Sequence, residues 1–337
     1  MVPQLLHFIN PLIRPMNRLK SIANFFAEVY SEFSSDNALK MSASLSYYMI
    51  FSLAPMLLVI ISLLGIFYGQ DAIQGQVFGQ IQGLVGKEAA LQIQEIIRRA
   101  ELSNRSPLAL TLGIGTLVIG ATGVFGEMQD SINRIWSLRA KPKKGWLKLL
   151  INRLLSFSLI ISMGFILLVS LLLNSLLDVF SSQLERLFNS QMVVVVYIIN
   201  IAFIFTVITV LFALIFNVLP DGKLYWKDSF VGAGFTAILF MVGKFLIGLY
   251  LGQSNLSSTY GSAASLVIIL LWVNYSAAIL YFGAEFTKVY VKQYGRGIVP
   301  KNETVIVYEQ EIEPKNLEQG QIPHVNVASL KGYYDRH

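Results

Sequence analysis

A single lysine interrupts an otherwise uncharged run. From Ser229 to Ala284 the chain carries no Asp, Glu or Arg and only one Lys, Lys244, before Glu285 closes the run. A cation in so apolar a setting either snorkels its stem toward water or faces an anion such as a lipid phosphate or an anionic solute. Glu285 shares a boundary with Glu127, Arg134 and Arg153. Two carboxylates and two arginines there form a structural clamp or a proton or ion relay. Asn274, in "LLWVNYSA", puts an amide in apolar sequence, where it needs an interhelical hydrogen bond. Pro55, in "FSLAPMLL", removes a backbone donor and kinks or breaks its helix, and broken helices line transporter sites. Hydrolytic or redox chemistry has no such foothold. The histidines are His7, His324 and His337, all near the ends, and there is no cysteine. No P-loop, GxSxG elbow or zinc-type spacing occurs. The chain is therefore expected to be no enzyme and to use no cofactor or metal.

The elements that position these residues follow from charge patterning. The chain is 54% hydrophobic and 14% charged, against ~25% charged in soluble domains. Charge-free windows cover 41–70, 106–126, 154–177 and 187–220, with 229–284 broken only by Lys244. A hydrocarbon core of ~30 Å takes ~20 helical residues. The last window holds two spans around the polar turn "GQSNLSSTYGS". The expected fold is an all-α integral membrane protein with six transmembrane helices, at about 43–68, 107–126, 151–177, 192–219, 229–251 and 261–286. A β-barrel would show short alternating segments, and "LLVSLLL" does not alternate.

Basic residues cluster before span one, between spans two and three, between spans four and five, and after span six. The opposite loops carry few, so both termini are expected to be cytoplasmic. The basic excess is read as topology plus contact with anionic lipid, not as nucleic-acid binding. In this orientation Lys244 lies ~22 Å from the inner end of span five, whereas Glu285 lies at the inner end of span six. They do not pair directly, and Asp71 and Asp178 are the better partners for Lys244.

Residues 1–40 form a cytoplasmic segment with an interfacial amphipathic helix over 17–34, striped by Leu19, Ile22, Phe26, Val29 and Phe33. Residues 41–290 form the transmembrane domain, with one or two short helices capping the outer mouth between spans one and two. Span two is expected to continue as a helix past residue 127. Trp136, Trp146, Tyr225 and Trp226 fall at inner boundaries as anchoring rings. Residues 291–337 form a polar cytoplasmic tail in which "TVIVYE" has strand character but no legible partner. Gly113, Thr116, Gly120 and Gly123 in span two, and Ala233–Ala237 and Gly248–Gly252 in span five, mark close helix contacts.

Four stretches together resemble the YihY/BrkB family of bacterial inner-membrane proteins. They are "ASLSYYMIFSLAPMLLVI", "GATGVFGEMQDSINRIWSLR", "LPDGKLYWKDSFVGA" and "STYGSAASLVIILLWVNYSAAILYFGAEF". The resemblance implies a six-helix protein of the bacterial inner membrane with cytoplasmic ends. It brings no catalytic residue. The family's older label, ribonuclease BN, does not suit a chain without a histidine–aspartate cluster. The functional expectation is a transporter of a lipid or anionic solute, with a cavity between spans one, two, five and six. The alternative is a non-transporting membrane scaffold or envelope-integrity factor. Membrane lipids are the expected partners, and homo-oligomerisation is left open.

Overall fold

The structure is a computed structural model that describes residues 20–52, 91, 94, 123–141, 191–253, 260, 263–301 and 304–307. Its described helices are α1 (20–35), α2 (38–52), α3 (123–135), α4 (Gln191–Val218), α5 (Trp226–Gln253) and α6 (Ala264–Gln293). Four short strands join them: β1 (Leu138–Ala140), β2 (Gly222–Lys223), β3 (Val299–Pro300) and β4 (Thr304–Ile306).

Among the described residues three helices are long and apolar enough to cross a membrane: Ile198–Val218, Trp226–Leu251 and Leu266–Gln293. They match the fourth, fifth and sixth expected spans. α4 is rich in Val, Ile and Phe, which favour strands in water. In hydrocarbon the helix wins, because only it satisfies every backbone group within the segment. α6 runs seven residues past the expected end of span six, to Gln293. At 1.5 Å per residue it measures about 45 Å, more than the hydrocarbon alone requires. Helix also covers 123–135, the expected continuation of span two. Span three, Pro55 and the loop over 69–106, apart from helical residues 91 and 94, lie outside the described residues.

α5 lies between α4 and α6 and packs on both. Its contact with α6 uses a reciprocal arrangement of small residues. Gly232 of α5 lies against Thr287 of α6, and Gly283 of α6 lies against Thr236 of α5. Each threonine donates its hydroxyl to the carbonyl of the glycine one turn back, Thr236 to Gly232 at 2.7 Å and Thr287 to Gly283 at 2.6 Å. Their polar atoms are thus satisfied while the backbones approach closely. Ala233 and Ala237 are fully buried, as the small-residue pattern predicts. Gly248 differs: a side chain there would meet nothing within 4 Å. Gly123 of α3 accepts the ring of Tyr48 from α2, which joins the first two expected spans at one point.

The main core gathers Met41 and Leu45 of α2, Ile132 and Ile135 of α3, Phe216 of α4 and Tyr281 of α6. Trp136 belongs to it as well. The indole is 3% exposed and donates from Nε1 to the carbonyl of Ala284 at 3.2 Å. It is a core residue, unlike the interfacial ring expected from its position; of the other expected anchors Tyr225 and Trp226 are exposed, and Trp146 lies outside the described residues.

The strands are the main departure from an all-helical expectation. β4 pairs antiparallel with β1, with Leu138 opposite Ile306 and Ala140 opposite Thr304. "TVIVYE" therefore finds its partner edge immediately after α3. β3 pairs with β2, Lys223 opposite Val299. Lys301 extends the strap by donating from Nζ to the carbonyls of Pro220 at 2.5 Å and Val218 at 3.2 Å. α4 has no basic residue in its last turn, so a distant lysine caps its free carbonyls. The same loop is gripped by α3. Asn133 donates to Asp221 Oδ2 at 2.9 Å and accepts from the Asp221 backbone N–H at 2.8 Å, while Gln129 donates to Asp221 Oδ1 at 3.3 Å.

Candidate functional site: a lysine among three carboxylates

α1 is amphipathic in two directions. Phe25 and Val29 are buried against Phe286 and Val289 of α6. Ile22, Phe26 and Tyr30 form a second, exposed apolar row. The expected stripe mixed these rows, because they lie about 100° apart on one helix. The buried row lays α1 against the end of α6, and ring contacts fix the approach, with Phe25 edge-on to Phe286 at 5.2 Å.

Alongside that contact the two helices match charges. Glu28, Glu32 and Asp36 recur every four residues. Facing them, Lys292 reaches Glu28 at 3.0 Å and Lys288 reaches Glu32 at 2.6 Å. Gln293 adds a hydrogen bond to Glu28 at 2.7 Å. Residue numbers rise along one helix as they fall along the other, so α1 runs antiparallel to the end of α6. The turn after α1 is made by Asn37 at φ 56°, a backbone conformation that asparagine tolerates better than most residues.

Lys288 is the centre of the site. Its Nζ lies 2.6 Å from Glu32, 3.5 Å from Asp36 and 3.5 Å from Glu285. Glu285 is fully buried, and its Oε1 has no hydrogen-bond partner among the described residues. One oxygen from each carboxylate lies within 4.8 Å of the other two. A hard cation prefers such an oxygen set, but here the lysine ammonium fills the cationic position. One turn back along α6 from Glu285, the Tyr281 side chain is buried. Asn274, Tyr281, Glu285 and Lys288 follow one another at seven, four and three residues, so they share one face of α6.

The residues expected to carry chemistry are distributed as follows. Glu285 is brought together with Lys288, Glu32 and Asp36. Glu127 is half-buried on α3. Arg134 is exposed at the end of α3. Asn274 is half-buried on α6, and Lys244 is half-buried on α5, within an apolar stretch. Arg153 and Pro55 lie outside the described residues. Sequence reasoning did not single out Glu32, Asp36 and Lys288. The signal was present as acidic residues at a four-residue interval on α1 and as Lys288 three residues after Glu285.

The chain matches the family model described as Virulence factor BrkB over residues 29–305. It is 25% identical to a UPF0761 membrane protein of Saccharophagus degradans, over 80% of this chain and 60% of that one. A UPF0761 membrane protein of Alcanivorax borkumensis is 26% identical over 83% of this chain and 63% of its own. The chain thus spans about three fifths of the length of these two relatives. A Bacillus subtilis protein named as ribonuclease-like, YfkH, is 25% identical over 80% of this chain and 96% of its own. No solved structure matches. The match runs from the middle of α1 to β4 and takes in Glu32, Asp36, Glu285 and Lys288, and on it this chain belongs to the BrkB family of membrane proteins.

Proposed function

We propose that this chain is a transporter of a lipid or an anionic solute in the bacterial inner membrane, crossing it six times with both termini in the cytoplasm. The observation that supports this reading best is ionisable side chains inside long apolar helices. Lys244 is half-buried in α5 and Glu285 is fully buried in α6. Charged groups at such depth are expensive and are usually retained for a pathway or a substrate. Lys244 is the group suited to an anion, because α5 is otherwise uncharged from Ser229 to Gln253. Anionic lipids at the inner face are the natural partners of the basic loops. The role is non-enzymatic in this reading. The test is transport by the purified protein in liposomes, with labelled phospholipid or a labelled organic anion under proton and ion gradients. Lys244→Leu should abolish movement and Lys244→Arg should retain part of it. Liposomes that move neither probe would favour the scaffold reading, in which Lys288 and its carboxylates serve only to pin α1 to α6.

A further inference from the structure

α1 turns no charge outward over most of its length. From Ser21 to Ser35 its charged residues are Glu28 and Glu32, and lysines of α6 engage both. Every exposed position in that stretch carries an uncharged side chain. A helix bordered by water places charged and polar residues on its outer face. Here that face carries the exposed row Ile22, Phe26 and Tyr30 instead.

The row does not end at α1. The ring of Phe26 lies 6.0 Å, centroid to centroid, from that of Phe235 on α5. Val231, Phe235, Ile238 and Val242 follow one another at four, three and four residues, so they share one face of α5. Val231, Ile238 and Val242 are exposed, and all four belong to Trp226–Leu251, a segment long and apolar enough to cross a membrane. The outward row of α1 thus continues the outward apolar stripe of α5.

Orientation decides how such a row can meet lipid. α1 runs antiparallel to the last turns of α6, which belong to the apolar segment Leu266–Gln293. A helix aligned with a spanning helix cannot lie flat on the bilayer surface, as an interfacial helix does. Exposure along the contact falls in the same sense: Lys292 is 53% exposed, and Lys288, nearer the middle of α6, is 18% exposed. We infer that α1 enters the bilayer end-on beside α5 and α6, so that its row of Ile22, Phe26 and Tyr30 meets the acyl chains of the leaflet that holds the start of α5. Lys20, at the first turn, stays at the water end. Acyl chains are the occupant that suits both surfaces, because they must surround the outward face of a spanning α5 and they demand no charge from α1. The carboxylates of α1 keep their lysines on the side turned to α6. The inference does not depend on what, if anything, is transported.

The test uses the full chain in phospholipid nanodiscs. The protein has no cysteine, so Ile22→Cys, Phe26→Cys and Tyr30→Cys each place a single spin label on the row, and Ile238→Cys places a reference label on α5. Collision with oxygen, which concentrates in hydrocarbon, is compared with collision with a water-soluble nickel chelate. The labels at Phe26 and Tyr30 should favour oxygen, as the reference does. Depth should increase from Ile22 to Tyr30 by about 12 Å, the rise of eight helical residues. If Phe26→Cys does not fold, Ile22→Cys and Tyr30→Cys, whose side chains are the more exposed, still measure that gradient. Three labels at one depth would mean a helix lying flat and would overturn the inference. So would labels all open to the nickel chelate, which put α1 in water, or a row shielded from both reagents, which puts a second copy of this chain against it.

Discussion

Replacing Gly283 with alanine isolates the α5–α6 contact. The new methyl would sit 2.8 Å from Thr236 Cβ and 2.7 Å from its Cγ2, with Oγ1 nearer still. Carbon pairs prefer about 3.5–4.0 Å, so the helices must separate by roughly 1 Å or the threonine must abandon its bond to Gly232. Rotation of Thr236 cannot relieve the contact, because Cβ is itself one of the close atoms. Overpacking of this kind costs about 1–3 kcal/mol, and the melting midpoint in detergent should fall on the order of 2–6 °C. Gly232→Ala should behave alike, since its methyl meets Thr287 in the same way. Gly234→Ala and Gly248→Ala are the controls, because a side chain at either meets nothing within 4 Å. The pair Gly283→Ala with Thr236→Gly moves the methyl from one helix to the other and should recover most of the loss. The assay is thermal unfolding followed by size-exclusion chromatography. If Gly283→Ala melts with Gly248→Ala, or the pair shows no coupling, the close-approach argument is wrong.

Three further outcomes follow from the site and the strap. Lys288→Met removes the counter-charge of a fully buried carboxylate, so it should destabilise by about 3–5 kcal/mol, read as loss of monodisperse protein; Lys292→Ala, at a pair whose lysine is exposed and whose Glu28 is half-buried, should change stability by no more than about 1 kcal/mol. Asn133→Leu breaks both bonds to Asp221 and leaves a buried carboxylate short of donors, a loss of about 1–3 kcal/mol that should speed protease cleavage in the loop around Gly222. Trp136→Phe keeps one aromatic ring but loses the pyrrole ring and the bond to the Ala284 carbonyl, for a drop of about 1–3 kcal/mol in denaturant unfolding.

How much of this was legible in the sequence depends on the length scale of the signal. α4, α5 and the start of α6 could be placed within three residues, because hydrocarbon selects uncharged runs of about 20 and Lys244 is the one charge inside the longest; the end of α6 lies seven residues further on, where charges resume. The continuation of α3 past Glu127 was also legible, from helical spacing in "EMQDSINRIWSL". The partners of Glu285 were not. Depth along a helix is readable from residue number, but azimuth against another helix is not, and Glu32 and Asp36 belong to a helix distant in sequence. Trp136 shows the same limit: position near a boundary does not say whether a ring turns to lipid or to the core. The Gly232–Thr287 and Gly283–Thr236 contacts carry a glycine–threonine spacing that could have been noticed. Only the antiparallel pairing of α5 and α6 shows that the two copies interlock. The strands were invisible as a pair, because two or three residues of alternation are too short to select a partner.

The union of β4 with β1 has a bearing on the order of synthesis. β1 leaves the ribosome before α4, α5 and α6 exist, and its partner emerges after all three. Until then the loop at Asp221 has its bonds to Asn133 and Gln129 but lacks Lys301, and the carbonyls at the end of α4 lack their cap. The clasp therefore closes only when the last helix has been delivered. A nascent chain stalled before Val299 would hold its membrane helices without the fastening that joins their ends, and quality-control proteases would meet that unfastened loop first.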